Sequence, residues 1–398
     1  MELENFTELL TREGQWALES AMAFAPREKD FLADFKMLAK RFPREVARAA
    51  LTIAILRGEA AEKFPQADKM YFTREALEQA TPWEVAKTRA KRFAGFRRIF
   101  DFGCSVGCDS LALAASAPVI GVELDPLRTA MARQNAKEMG VEAEFLQADL
   151  ERLPFDLTGE FVQESAIFFD PARRTDHRRV FSVEDYQPAL SLIERWLPHI
   201  PAMGVKVSPG VKLPELERYD CEIEFISLEG NLKEAVLWFG PLKTAERRAT
   251  LLTGGEMVTM TAHTQPPLPI SAPMAYIYEP DPSILRAGLV QALGTELGAA
   301  QLDPEIAYLT ADSHVENPFV RCWPVEDWMP FQLKRLRATL RDRNVGRVTV
   351  KKRGSPILPE ELAQMLRLDG DEEKTLFLTQ FEGSPVVVIA GNELTSAG

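Results

Sequence analysis

The sequence predicts a doubly wound α/β domain, preceded by a helical block and followed by a small α+β unit. Three observations predict it. From Arg97 to about Gly240, short apolar runs alternate with helix-forming stretches, the pattern of a twisted, mostly parallel sheet. The first of those runs, Ile99–Phe102, leads through Gly103 and Gly107 into the helix former Ser110–Ser116. Strand, glycine turn and helix form a nucleotide-binding start, because glycine lets the backbone approach a ligand and a helix N-terminus offers free N–H groups. Before residue 92, apolar residues recur at helical spacing, with little glycine and no alternation of the strand kind.

Taken in order, Phe31-Leu32, Phe35, Leu38-Ala39 and Phe42 mark one helical face, and Ala47, Ala50-Leu51 and Ala54-Ile55 another. Pro65 interrupts this block, Thr73 is placed as a helix N-cap, and Trp83–Phe93 reads as a basic helix carrying Lys87, Arg89, Lys91 and Arg92. Val119–Leu124 is a buried strand, and Asp125-Pro126 caps a helix running to about Met139. Ala143–Gln147 is a strand ending at Ala148-Asp149, and Ala166–Phe169 one ending at Asp170-Pro171. A helix is expected over roughly Val183–Leu197, then a strand Met203–Val207 ending at Ser208-Pro209-Gly210. Cys221–Leu228 and Ala235–Phe239 close the sheet as a near-hairpin pair, for seven strands in all. Beyond it, Leu251–Met260 reads as a hairpin through Gly254-Gly255, Thr264–Ala272 as a proline-rich linker and Ser283–Leu297 as a helix. The C-terminal unit reads as helix 331–343, strand 347–351, helix 359–367 and strands 374–381 and 385–390 turning at Gly383. The expected division is 1–92 helical, 93–245 α/β, 246–325 hairpin and linker, and 326–398 α+β.

A chain of 398 residues has room for two or three domains of about 100–200 residues each, and 46% apolar residues suffice for a sizeable core. The start, MELENFTELL, is acidic and lacks the basic-then-apolar pattern of a signal peptide. No apolar run approaches the roughly 18 residues of a membrane span. Cys104, Cys108, Cys221 and Cys322 are few and mostly far apart, as in reduced thiols of a cytoplasmic protein, and four scattered histidines give no metal site. A net charge of −12 argues against indiscriminate nucleic-acid binding. Against that average, residues 331–353 hold nine basic residues and one acid. An anionic partner or a solvated helix face both account for such a run.

In an open parallel sheet the ligand lies beyond the carboxyl ends of the strands. Four successive strand ends here carry matching groups: Asp101 with Gly103 and Gly107, then Glu123, then Asp149, then Asp170-Pro171. Glu123, twenty residues past Gly103, can accept both hydroxyls of a ribose, and Asp149 can meet the amino group of an adenine. The runs DFGCSVG, VIGVELDP, QAD and FFDPARR resemble the class I S-adenosylmethionine (SAM)-dependent methyltransferases over about residues 95–240. The resemblance implies a seven-stranded Rossmann-like methyltransferase sheet and SAM as cofactor. It places Gly103 and Gly107 under the methionine part, Glu123 on the ribose and Asp149 near the adenine. Asp101, Cys104, Leu124 and Asp170 complete the implied cofactor set.

The run DPLRTAMARQNAKEMGV is similar to the RNA-modifying branch that includes trimethylguanosine synthase. FFDPARR, KVSPG, the DKMYFTREALEQAT piece and the C-terminal unit resemble bacterial methyltransferases with a THUMP-like domain. That likeness implies an RNA partner, tRNA or rRNA, and an exocyclic amine of a base, guanine preferred, as the target. Asp170 and the Pro171 carbonyl would accept N–H bonds from the amine, and in-line transfer of an activated methyl needs positioning more than a metal. The amine-methylating pattern Asp/Asn-Pro-Pro-aromatic is incomplete here, since Ala172 and Arg173 follow Pro171. A stacking partner for the base must come from elsewhere, with Phe72 and Tyr71 as candidates and core packing as their alternative. Uracil-C5 enzymes share DPAR but need a cysteine nucleophile where this chain has Ser208, which sets that mechanism aside.

Arg173, Arg174, Arg178 and Arg179, with His177, either clamp a phosphate beside the target or pair with the acidic surface. Lys351, Lys352 and Arg353 either grip RNA phosphates or cover their own domain. The rival readings are a methyltransferase of a protein or small molecule, and a non-catalytic RNA-binding protein that keeps the fold.

Overall fold

The computed structural model describes residues 1–398 except 160–161, 173, 176–177, 180–181, 263–264 and 395–398, and the side chains of 174–175 and 178–179. The chain forms two compact units, one of residues 1–222 with 233–244 and the other of residues 223–232 with 245–398.

The first unit begins with helices α1 (Leu3–Leu9), α2 (Arg12–Met22), α3 (Phe31–Leu38), α4 (Arg44–Ala60), α5 (Arg74–Gln79) and α6 (Trp83–Ala90). Thr73 caps α5 by accepting from Ala76 N. The basic helix is shorter than expected: α6 ends at Ala90 and a 3-10 turn, Lys91–Phe93, follows. Then come β1 (Arg98–Phe102), α7 (Cys108–Leu113), β2 (Val119–Glu123), α8 (Pro126–Met139), β3 (Ala143–Gln147) and β4 (Ser165–Phe169). Two-residue strands β5 (Arg174–Thr175) and β6 (Arg178–Arg179) pair antiparallel. β7 (Met203–Val207) and β9 (Asn231–Phe239) follow, with β8 (Glu222–Leu228), which falls almost wholly in the second unit, between them in the chain. Within this unit the sheet order is β9-β7-β4-β1-β2-β3, parallel throughout except for β9 against β7. This is the expected parallel-rich sheet. Its carboxyl ends gather the loops after β1, β2, β3, β4 and β7 at one rim.

The expected helix over 183–197 is absent. Two 3-10 pieces, Val183–Asp185 and Leu190–Arg195, stand there instead. Pro188 lies between them, and its missing N–H and fixed φ break an α-helical run. One core runs from Phe6, Leu51 and Phe64 through Cys104, Val106, Met131 and Phe145, so the N-terminal helices pack on the glycine turn and α8. On the sheet, Phe102 and Phe169 meet Trp196 edge-on at 4.8 and 5.1 Å, and Phe93 packs on Phe168 and Trp238 at 6.2 and 5.6 Å.

In the second unit, β8 pairs parallel with β10 (Arg247–Thr253), which forms the expected hairpin with β11 (Glu256–Thr261). β12 (Tyr276–Pro280), α9 (Pro282–Ala287), α10 (Val290–Leu297), β13 (Ala300–Asp303), β14 (Ile306–Ala311) and β15 (Val320–Pro330) come next. The single helix expected over 283–297 is two, broken at Gly288, whose φ of +72° ends α9. α11 (Leu333–Asp342), β16 (Val345–Lys352), α12 (Pro359–Leu366), β17 (Glu372–Phe381) and β18 (Ser384–Ala390) complete the chain as read from its sequence. Their sheet order is β13-β14-β12-β15-β18-β17-β16, with β16 at the edge. Leu336, Leu340, Leu362, Leu366, Leu376 and Leu378 fill one core of this unit, and Ile277, Tyr308, Trp323 and Phe377 another.

Candidate active site

The rim of the first unit opens into a cavity of about 940 Å³, a size suited to a nucleoside cofactor with room for a second reactant. Among its lining residues are Gly103, Cys104, Glu123, Leu124, Asp149, Asp170 and Pro171. Seven of the residues singled out from the sequence therefore meet in one cavity.

Gly103 has φ +78°, and a Cβ there would stand 2.6 Å from the backbone oxygen of Asp170. Only glycine lets the β1 and β4 ends approach so closely. Gly107 has φ +83° and caps α7; its Cβ would press on Ala132 and Phe145 at 3.2 and 3.3 Å. It shapes the turn from below and does not line the cavity. The Glu123 carboxylate accepts from Ser105 N and from Asp125 N, both at 2.9 Å. It is thereby fixed at the end of β2, and each oxygen keeps a further lone pair for a hydroxyl. Asp149 accepts from Glu151 N at 2.9 Å, and Leu124 is 65% exposed, a free apolar surface beside Glu123.

Asp101 is fully buried and does not line the cavity, contrary to the expectation that it faces the cofactor. Ser110 Oγ donates to its Oδ2, and Oδ1 has no hydrogen-bond partner among the described residues. Burial, with Asp109 nearby, pushes its carboxyl up to about 8, the Ser110 bond opposing. Burial likewise raises the thiols of Cys104 and Cys108, which makes them poor nucleophiles.

Asp170 stands 23% exposed at the cavity, and its Oδ2 accepts from Lys206 Nζ at 2.7 Å. Lys206, on β7, also lies 3.8 Å from Asp109 Oδ2. Asp109 pairs with Arg89, which pairs in turn with Glu234 and lies 4.2 Å over the Phe168 ring. Burial alone would lower the Arg89 guanidinium, but Asp109 and Glu234 outweigh it and raise its pKa. Sequence reasoning missed this chain of charges. In sequence Arg89 is one of four cations of a basic helix, yet its side chain is 1% exposed. The available signal was a single charge, Lys206, inside the apolar run Met203–Val207.

Phe72 is not at the site. It is fully buried in the helical core, 5.6 Å from Phe64, and Tyr71 is held by Phe6 and by Arg57 over its ring. Neither ring offers a face to a base, so core packing accounts for both. Arg173 and His177 lie outside the described residues, as do the side chains of Arg174, Arg178 and Arg179. Lys351, Lys352 and Arg353 belong to the second unit. Lys351 and Arg353 pair with Glu279 at 2.5 and 3.5 Å and lie over Trp323 and Tyr308 at 4.7 and 5.1 Å. These two are thus bound within their own unit. Among the described residues, Lys334, Arg335, Arg347 and Lys352 make no ion pair or side-chain hydrogen bond. No group of three or more candidate metal ligands occurs among the described residues, and no helix there is long and apolar enough to cross a membrane.

Comparison with known proteins agrees with this geometry. Residues 99–173 match the family model described as "Methyltransferase domain", residues 320–392 the one described as "THUMP domain-like", and residues 2–60 a "Domain of unknown function". Uncharacterized S-adenosylmethionine-dependent methyltransferases of two Mycobacterium tuberculosis strains, CDC 1551 and H37Rv, are each 36% identical over 316 residues, covering 78% of this chain and 84% of theirs. The crystal structure of a candidate methyltransferase from Porphyromonas gingivalis W83 shares the fold, with a TM-score of 0.75 at 23% identity, over 94% of this chain and 100% of that one. With a relative of that identity over most of its length, and a glycine turn and acid-tipped strands around one cavity, the chain belongs to the S-adenosylmethionine-dependent methyltransferases.

Proposed function

We propose that this enzyme methylates an exocyclic amine of an RNA base, guanine preferred, with Asp170 and Pro171 as the acceptors that orient the amine. The observation that carries the reading is Asp170-Pro171 at the end of β4, lining the same cavity as Glu123 and Asp149. SAM supplies an activated methyl group on a sulfonium. Glu123 would hold the ribose hydroxyls, Asp149 the adenine amino group, and Gly103 would leave room for the methionine part. Cys104 and Leu124 would add apolar contact. An amine conjugated to a base is a weak nucleophile. Asp170 would accept one of its N–H bonds and aim its lone pair, and the displaced proton would leave to water.

The RNA part of the reading is supported by the THUMP domain-like match at 320–392 and by the exposed cations Lys334, Arg335 and Arg347 in that stretch. It extends to a trimethylguanosine synthase-like ancestry, to the fourfold division of the chain at 92, 245 and 325, and to work in the cytoplasm, where four free cysteines stay reduced. A second reading, a protein or small-molecule acceptor, is favoured by the pairing of Lys351 and Arg353 inside their own unit. The deciding experiment incubates the protein with radiolabelled SAM and total RNA from a strain lacking it. Label in that RNA, but not in RNA from the parent strain, supports the RNA reading; no label in either overturns it.

A further inference from the structure

We propose that Lys206 is the positioning residue of the transfer reaction, holding one oxygen of Asp170 so that the other meets the methyl acceptor as a fixed, charged hydrogen-bond acceptor. The inference rests on the role given to Asp170 above.

Every residue of β7 is buried, and Lys206 is 3% exposed. Met203, Gly204, Val205 and Val207 show what such a strand needs for packing, and an apolar side chain would serve at position 206 as well. A buried ammonium costs several kcal/mol of desolvation, and a buried ion pair gives little net stability in return. Folding therefore gives no reason for a lysine at this point. Its geometry does. Nζ lies 2.7 Å from Asp170 Oδ2, and Asp170 Oδ1 accepts no hydrogen bond among the described residues. One carboxylate oxygen is thus engaged by Lys206, which lines the same cavity, and the other is left without a donor among the described residues.

Lys206 is itself held. Asp109 on α7 lies 3.8 Å from its Nζ, and Arg89 on α6 fixes Asp109 and Glu234 of β9. Asp101 of β1, Lys63 beyond α4 and Cys108 also stand near the pair, and Glu78, Tyr186 and Lys233 line the same cavity. Charges therefore alternate along Asp170, Lys206, Asp109, Arg89 and Glu234, drawn from five elements. Such a chain fixes the Asp170 side chain as a local hydrogen bond alone would not, and a charge-assisted bond is the stronger kind. A misplacement of about 1 Å in an acceptor that aims a lone pair costs on the order of 100-fold in rate.

The test uses the full-length protein, radiolabelled SAM and total RNA from a strain lacking the protein. Lys206→Met is expected to lower kcat about 100-fold, with KM for SAM within about threefold of the parent. Lys206→Arg should restore most of the rate. Should Lys206→Met not fold, Lys206→Gln, which keeps a donor without the charge, gives the same readings. A near-parent kcat for Lys206→Met, or a failure of Lys206→Arg to restore the rate, overturns the proposal. A double-mutant cycle of Lys206→Met with Asp170→Asn, read by thermal unfolding, tests the contact without substrate: coupled shifts support it, and additive shifts overturn it. If the parent enzyme labels no RNA, the substrate reading falls, and the cycle still decides on the pair.

Discussion

Asn135 of α8 and Tyr71 exchange a pair of hydrogen bonds: Tyr71 N donates to Asn135 Oδ1 at 2.7 Å, and Asn135 Nδ2 donates back to Tyr71 O at 3.0 Å. The same Nδ2 donates to Val106 O at 2.8 Å. One fully buried amide thus ties the N-terminal helical block to the glycine turn. Asn135→Ala strands three buried backbone groups and should destabilise the first unit by about 3 kcal/mol. Calorimetry with S-adenosylhomocysteine should show weaker binding as well. A urea midpoint equal to the parent's would contradict this account.

Glu123 holds the glycine turn through Ser105 N and Asp125 N and, in the proposed reading, also the cofactor ribose. Replacing it with alanine removes the acceptors of Ser105 N and Asp125 N together with the ribose contact. S-adenosylhomocysteine affinity should fall on the order of 100-fold, the equivalent of about 3 kcal/mol. Glu123→Gln keeps one acceptor oxygen and should lose less.

Asp101 predicts a pH signature. Its carboxyl is pushed up to about 8 from an ordinary 3.8, so between those values the folded chain holds a proton that the unfolded chain releases. The sign follows: this contribution to stability is whole below about pH 4 and is lost as pH rises towards about 8. Asp101→Asn cannot ionise. Its stability relative to the parent should therefore climb between pH 5 and pH 8, as read by urea unfolding across that range. A constant difference would show that Asp101 is charged in the folded protein.

Arg89 predicts a large structural loss. Arg89→Ala leaves Glu234 buried without its cation and Asp109 with Lys206 alone, at about 3–5 kcal/mol. Adding Asp109→Asn and Glu234→Gln should recover part of that loss in thermal melts. A mild effect of the single variant would mean that the pair is hydrated.

In the second unit, Lys334, Arg335 and Arg347 are exposed and, like Lys352, make no ion pair among the described residues, so the proposed RNA reading assigns phosphate contacts to these three. Their triple alanine variant should flatten the dependence of RNA affinity on salt, lowering the log–log slope by about 2. Lys351→Ala and Arg353→Ala should act mainly on stability, since Glu279 holds both side chains.

The β1–glycine turn–α7 start and the acids at strand ends were legible because each depends on a few neighbouring residues. Glu123, Asp149 and Asp170 could be placed at one rim once the strands were counted. The charge chain behind Asp170 was not legible. Lys206 meets Asp170 across 36 residues and Arg89 meets Glu234 across 145, so no local pattern announces either. Phe72 and Lys351 go to the structural side of their two readings, since a distant core claims the ring and Glu279 claims the lysine. The helix expected over 183–197 yields to Pro188. β15 carries Pro324 and Pro330 among mixed side chains and gives no alternation to read, so most of its sheet was invisible in sequence.

The central claim, that Asp170 at this rim directs methyl transfer to an RNA amine, is tested most directly by nucleoside mass spectrometry of RNA from a deletion strain. The account predicts one N-methylated base missing from that RNA, restored by the parent protein and not by Asp170→Ala. Identical nucleoside profiles with and without the protein, or full restoration by Asp170→Ala, would contradict it.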